Sequence, residues 1–340
     1  MSGRALGGQA GGPAAGGSAV AGSAPPVLAR TKAELAHARA GLDTRNGPVV
    51  LVPTMGALHA GHGTLLRAAR ALAGPDGSVV VSIFVNPLQF GPGEDLDRYP
   101  RTLDDDLAMC AGAGVSLVFA PSAAQMYPNG KPEVTVDPGP VGQVFEGQFR
   151  PGFFDGVLTV VLKLLHLTRP AIVVFGEKDA QQLALVRRLI GDTDLDIDVE
   201  SVPTARDADG LATSSRNRYL SAAERRVALA LPRALSAGQA RSADGAAAVL
   251  SAAQEILRAQ PALAVDYVAV VDPRTFTAVR PGQGGLALLI AAAGAGGTRL
   301  IDNVPVVLPA GSNPAALDPA GTEPGDAAGE RRAHHHAADH

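Results

Sequence analysis

Four short segments of this chain carry side chains whose type and spacing suit chemistry on phosphate and carboxylate groups. The first is Pro53-Thr54-Met55-Gly56-Ala57-Leu58-His59-Ala60-Gly61-His62. It lies between a short apolar run and a helical pattern, at the carboxyl end of a strand, where open α/β sheets bind ligands. The first turn of a helix offers free N–H groups and partial positive charge, which attract phosphate. His59 and His62, three residues apart, fall on one side of that turn, and Gly61 between them leaves room for a nucleotide. Imidazole donates to phosphate oxygens and follows the charge that develops when a phosphoanhydride breaks. The plainer alternative is a glycine loop with two surface histidines.

The second segment repeats this geometry. Residues 171–175 read as a strand, Gly176-Glu177-Lys178-Asp179 as the turn, and Gln181-Gln182 as the first turn of the next helix. Lysine at such a turn reaches phosphates, Asp179 is expected to cap the helix, and Gln182 is left free for a polar substrate. Alternatively Lys178 is a solvated turn residue. Third comes Thr213-Ser214-Ser215-Arg216-Asn217, in which hydroxyls beside a guanidinium suit a phosphate clamp, or simply a polar loop at a domain junction. The fourth is Asn86-Pro87-Leu88-Gln89-Phe90, whose neutral amides suit a hydroxy acid. Downstream, Asp104-Asp105-Asp106 follows Thr102. Asp105 and Asp106 are candidates to hold Mg²⁺ through water; equally, the run supplies charges favoured at a helix start.

These segments need elements to hold them. Apolar runs at 48–52, 78–85, 115–120, 171–175 and 196–202 read as strands. They alternate with helical patterns at 31–41, 62–73, 102–113, 156–167 and 179–191, which means a parallel sheet in an α/β domain. Thr31 with Glu34 and Ser221 with Glu224 have capping-box spacing. After about Pro203 the pattern changes to an alanine-rich helix from 221, a second helix over 242–259, and short strands at 265–271, 286–291 and 299–304. The expected architecture is a Rossmann-like domain over 27–203, followed by a smaller α+β domain over 204–308.

The chain of 340 residues is 46% hydrophobic and 18% charged, enough for a sizeable core. Its 40 glycines and 26 prolines concentrate partly in 1–26 and 309–340, which hold almost no large apolar residue and are expected to be disordered tails. With 29 basic and 33 acidic residues, and a formal charge of −4, the balance argues against nucleic-acid binding. The single cysteine, Cys110, excludes an internal disulfide framework and a cysteine-based zinc cluster, and it reads as buried packing. No apolar run reaches the ~18 residues of a membrane span, and no signal-peptide pattern precedes the body, so a cytoplasmic protein without a membrane partner is expected.

Taken together, the motifs resemble the pantoate–β-alanine ligase (pantothenate synthetase) family of nucleotidyltransferases with HIGH-type motifs. The resemblance rests on 53–62, on Phe-Val-Asn-Pro-Leu-Gln-Phe at 84–90 and on Tyr-Pro-Arg-Thr at 99–102. Phe-Gly-Glu-Lys-Asp-Ala-Gln-Gln-Leu at 175–183 and Asp-Gly-Leu-Ala-Thr-Ser-Ser-Arg-Asn-Arg-Tyr-Leu at 209–220 complete it, in an order and spacing far more specific than any one motif. It implies a homodimeric ligase that uses Mg·ATP to convert pantoate to pantoyl adenylate, then joins it to β-alanine with release of AMP. It implies an ATP site at Met55, Gly56, Ala57, Leu58, His59, Ala60, Gly61 and His62, at Gly176, Glu177, Lys178 and Asp179, and at Ala205, Thr213, Ser214, Ser215 and Arg216. By the resemblance His62 is the catalytic histidine and Gln89 and Gln182 hold pantoate; the chemistry of the residues themselves adds His59, Lys178, Ser214 and Arg216 as catalytic donors and Asn86 as a further substrate contact.

The chain departs from the family at Phe153, within Arg150-Pro151-Gly152-Phe153-Phe154, where histidine is usual, and at Thr213, where methionine or leucine is common. Two competing functions fit the residues less well. One is a related nucleotidyltransferase acting on a different small acid. The other is a non-catalytic nucleotide-binding protein, which has no use for His59, His62, Lys178 and Arg216 together.

Overall fold

A computed structural model describes residues 24–42 and 47–310, so the expected tails, 1–26 and 309–340, fall almost wholly outside the described residues. The chain begins β1 (Val27–Ala29), α1 (Lys32–Ala40), β2 (Val49–Thr54), α2 (Ala60–Ala73), β3 (Ser78–Ile83), α3 (Leu103–Gly112) and β4 (Leu117–Phe119). It continues through α4 (Ala123–Met126), α5 (Glu146–Phe149), α6 (Phe153–Thr168), β5 (Ile172–Gly176), α7 (Ala180–Asp192) and β6 (Asp198–Val202). Then follow α8 (Ala222–Ala228), α9 (Ala230–Gln239), α10 (Ala246–Arg258), β7 (Leu263–Val271), β8 (Gly285–Ala295) and β9 (Thr298–Leu308).

Strands β1–β6 form one parallel sheet in the order β1-β4-β3-β2-β5-β6. The runs in β2 and β3 are apolar without alternation because both faces of the sheet are covered. Val49 and Leu51 enter the core shared with α1, α6 and α7, while Val50 and Val52 enter the opposite core under α2 and α3. Cys110, on α3, is buried in that second core, where burial pushes its thiol up to about 12. Successive strands run outward from β2 in one direction to β3 and β4, and in the other to β5 and β6. The connections therefore part between β2 and β5, and the carboxyl ends of these neighbours open a crevice.

Strands β7–β9 form a separate antiparallel sheet. Its side chains alternate: Leu289, Ala291 and Ala293 face a core with Leu231 and Leu235 of α9 and Leu257 of α10, while Ile290 packs into the core of α6 and α7. That shared packing joins the second sheet to the first.

The capping boxes at Thr31 and Ser221 are present. Three local expectations are corrected. Asp179 precedes α7 but its side chain makes no cap bond, because a 3₁₀ turn over Glu177–Asp179 comes first. Thr102 with Asp105, whose spacing also predicts the start of a helix, does not cap α3; the Thr102 hydroxyl donates instead to Asp106 Oδ1 at 3.2 Å. The alanine-rich helix splits into α8 and α9, and the second helix begins only at Ala246, after a 3₁₀ turn at Ser242–Asp244.

Candidate active site

The crevice at the ends of β2 and β5 opens into a cleft of about 440 Å³. The loop after β2 enters it through an αL-type turn, with φ of 81° at Gly56 and 52° at Ala57. Glycine suits position 56 because a Cβ there would lie 2.9 Å from Ile83 Cγ2. Asp106 reaches under this turn from α3. Its carboxylate accepts the N–H groups of Ala57 (3.0 Å, Oδ2) and Leu58 (2.8 Å, Oδ1). A buried carboxylate thus clasps the loop that presents His59 and His62.

The two imidazoles are stacked at a tilt, with centroids 4.1 Å apart. The backbone N–H of His59 donates to Nδ1 of His62 at 3.2 Å, which leaves the Nε2 of a neutral His62 as its N–H donor. Nδ1 of His59 is buried and has no hydrogen-bond partner. Burial first, then His59 and Lys178 nearby, lowers His62 to about 3; burial and then Lys178 lower His59 to about 4. Both rings are therefore neutral donors near pH 7. Gly61 keeps the approach open, since a Cβ there would lie 3.1 Å from the His59 ring.

Across the crevice, the turn after β5 brings Gly176, Lys178 and Asp179 to the same wall, with Lys178 Nζ 3.9 Å from Asp179 Oδ2. Ala205, Thr213, Ser214, Ser215 and Arg216 supply a third wall. Ser214 caps a 3₁₀ turn by accepting the N–H of Arg216, and Ser215 Oγ lies 3.3 Å from the hydroxyl of Tyr99. The guanidinium of Arg216 is held by both oxygens of Asp95, at 3.0 Å each.

The remaining wall is apolar and amide-lined. Phe84, Val157, Val161, Leu164 and Phe175 adjoin Gln89 and Gln182. Asn86 Nδ2 donates to Gln89 Oε1 at 2.9 Å, so Gln89 is left presenting its NH₂. Arg150 donates to the Gln89 carbonyl at 2.9 Å, forks onto Glu94 at 2.8 and 2.6 Å, and lies 3.7 Å over the Phe153 ring.

Of the residues singled out in the sequence, Met55, His59, Gly61, His62, Gln89, Gly176, Lys178, Asp179, Gln182, Ala205, Thr213, Ser214, Ser215 and Arg216 all line this one cleft. Gly56, Ala57, Leu58, Ala60 and Glu177 are not among its lining residues; Glu177 turns away to accept the hydroxyl of Ser201. The substrate contact expected of Asn86 is corrected. It is fully buried behind Gln89, bonded to Gln89, to the carbonyl of Gly156 and to the hydroxyl of Tyr127. Asp105 and Asp106, the candidates to hold Mg²⁺ through water, do not line the cleft. Asp105 is exposed outside the cleft and the oxygens of Asp106 are taken by three donors. Among the described residues no cluster of three His, Cys, Asp or Glu side chains is placed to hold a metal. Glu94, Asp95, Arg150, Arg299 and Asp302 line the cleft without having been anticipated. Pairs that place them span 56 residues for Arg150 with Glu94, 121 for Asp95 with Arg216 and 153 for Arg299 with Glu146, so local spacing does not mark them.

Fold and cleft together define a class: a doubly wound α/β protein whose ligand crevice opens at the switch point of its sheet, lined by neutral donors and cations suited to phosphate. The family model of pantoate-beta-alanine ligase matches residues 27–305, and the chain belongs to this family. It is 57% identical over 292 residues to the pantothenate synthetase of Thermobifida fusca (strain YX), covering 83% of this chain and 96% of that one. The solved pantothenate synthetase of Thermus thermophilus superposes with a TM-score of 0.76 at 47% identity, covering 83% of this chain and 100% of that one. A pantoate-beta-alanine ligase from Francisella tularensis, solved with beta-gamma ATP and beta-alanine, matches with a TM-score of 0.68 at 30% identity, covering 82% and 97%. The protein is thus an enzyme, a ligase of pantoate and β-alanine. No described helix is long and apolar enough to cross a membrane.

Proposed function

We propose that the cleft runs the ligation in two steps through pantoyl adenylate. In the first, a carboxylate oxygen of pantoate attacks the α-phosphorus of ATP. An O–P bond forms, the bond to the bridging oxygen breaks, and pyrophosphate leaves with that electron pair. In the second, the neutral amine of β-alanine attacks the acyl carbon; a C–N bond forms, AMP leaves, and the amine gives up a proton. Both steps need positioning and stabilisation of spreading negative charge rather than a covalent nucleophile.

The observation that carries this reading is the convergence of His62, Lys178 and Arg216 on one crevice, with His62 held as an Nε2–H donor. In it, His59, His62, Lys178, Ser214 and Arg216 donate to the phosphates, and Ala205 and Thr213 flank the nucleoside. Gln89 and Gln182 bind the oxygens of pantoate, whose branched carbons fit the wall of Phe84, Val157 and Val161. ATP in the related ligase from Francisella tularensis supports the choice of nucleotide. Magnesium is proposed to enter with ATP as substrate, coordinated mainly by phosphate oxygens and water. We assign residues 27–203 to a nucleotide and pantoate domain and 204–308 to a smaller lid that keeps water from the adenylate. A cytoplasmic homodimer completes the reading.

The test is exchange of labelled pyrophosphate into ATP without β-alanine. Exchange that requires pantoate supports an adenylate; ligation without any such exchange contradicts it. Exchange driven better by another small acid would move the substrate assignment.

A further inference from the structure

Two adjacent residues of β9, Asp302 and Asn303, touch both loops that carry cations into the cleft. Asn303 pairs with Ile290 of β8 in the second sheet, and its side chain crosses to the first. Its Nδ2 donates to the carbonyls of Glu177 at 2.9 Å and Lys178 at 3.0 Å, so both amide hydrogens are spent on the 3₁₀ turn that bears Lys178. Asp302 is fixed from the other side. Its carboxylate receives Arg206 at 2.7 and 3.0 Å and the N–H of Asn303 at 2.8 Å. Arg206 in turn donates to the carbonyl of Gly210 and bridges to Ala212, closing the hairpin that delivers Thr213–Arg216 to the cleft. One dipeptide therefore ties the lysine turn to the serine–arginine loop.

Both residues are buried, at 2% exposure for Asp302 and 7% for Asn303. Buried polar groups are costly unless paired, and well-packed apolar residues of like size often serve stability as well. A fully paired network of this kind instead specifies one geometry. Beyond the bond that Glu177 accepts from the hydroxyl of Ser201 on β6, the second sheet supplies the anchor of this turn, because Asp179 makes no cap bond and Lys178 Nζ has only a 3.9 Å contact to Asp179. We infer that Asn303 is a positioning residue, which holds the Lys178 turn at the place where the ammonium meets the phosphates while itself touching no substrate. This rests on the role given to Lys178 above.

A displacement of about 1 Å at a catalytic group costs up to about 100-fold in rate. Asn303→Ala should therefore slow single-turnover adenylate formation about 10- to 100-fold while ATP affinity changes less than about threefold, since most nucleotide contacts lie elsewhere. Rates are taken per ATP-binding site titrated by calorimetry, so a misfolded fraction does not enter. Asn303→Thr, a strand-compatible residue with one hydroxyl donor, should fall between. The discriminating measurement repeats Asn303→Ala in a Lys178→Ala background, where its cost should shrink to less than about threefold because the group it positions is gone. An equal cost in both backgrounds, or a near-normal rate for Asn303→Ala, overturns the inference. If Lys178→Ala alone keeps a normal rate, the assignment of Lys178 fails instead.

Discussion

The backbone N–H of His59 donates to Nδ1 of His62, three residues on, at 3.2 Å. The bond fixes the tautomer of His62 with its proton on Nε2, and burial makes protonating either ring costly: His59 lies near 4 and His62 near 3. Both folded-state values are below the ~6.5 of an unfolded histidine, so the unfolded chain binds more protons below that pH. The stability these rings contribute is complete above about pH 6.5 and is lost as the pH falls towards 4. Urea unfolding at pH 7 and pH 5 should show a loss at pH 5 that His59→Gln reduces by on the order of 1–2 kcal/mol. An unchanged loss in the variant would show that His59 is not held neutral. Activity should show no inflection from these histidines between pH 6 and 8.

Arg216 is occupied by Asp95 before any phosphate arrives, through two 3.0 Å hydrogen bonds between side chains that are 28% and 13% exposed. A phosphate that meets the Nε–Nη2 edge competes with the carboxylate for it, and one that meets the remaining N–H groups is drawn to a cation that Asp95 already partly neutralises. Asp95→Asn should accordingly tighten ATP binding about two- to fivefold, the range of a partly exposed ion pair, in isothermal calorimetry. Weaker binding would mean that Asp95 helps the nucleotide rather than competing with it.

Gln89→Ala and Gln182→Ala should each weaken pantoate binding by about 0.5–1.5 kcal/mol, measured as a rise in pantoate KM of about two- to tenfold, with ATP affinity nearly unchanged. Asn86 acts through Gln89, so Asn86→Ala should resemble Gln89→Ala and add little to it in the double variant. A main loss in ATP affinity would move these amides to the nucleotide side.

Phe153, where the family usually has histidine, lies against the guanidinium of Arg150 with its ring centroid 3.7 Å from Cζ. That places an aromatic face, not an acid or base, beside Gln89. General acid–base groups are worth about 10²–10⁴ in rate, whereas Phe153→His should change either half-reaction less than about tenfold. A gain of a hundredfold would make this position part of the chemistry.

The segments with chemistry were legible because each is contiguous: a strand end, a tight turn and the first turn of a helix bring His59, His62 and Lys178 to one edge with no long-range information. The parallel sheet followed from apolar runs without alternation, as in β2 and β3. What escaped depends on pairing across the chain. Three consecutive aspartates look alike in sequence, yet only Asp106 faces inward, and its burial under the Ala57–Leu58 turn decides its role as a clasp. Asn86 beside Gln89 reads as a second ligand-binding amide until Tyr127 and Gly156 are seen to surround it. Glu94, Asp95 and Arg150 are ordinary charges until ion pairing across the cleft gives them partners.

The central claim is that the cleft stabilises the transition state of adenylate formation through His62 and Lys178 rather than merely holding ATP. Rapid-quench measurement of adenylate in a single turnover, with calorimetry of ATP on the same samples, tests it most directly. His62→Ala and Lys178→Ala should each lose ~10²–10³ in the rate of adenylate formation while ATP affinity changes far less. Near-normal adenylate formation in either variant, or a loss that appears wholly as weaker ATP binding, would contradict the claim.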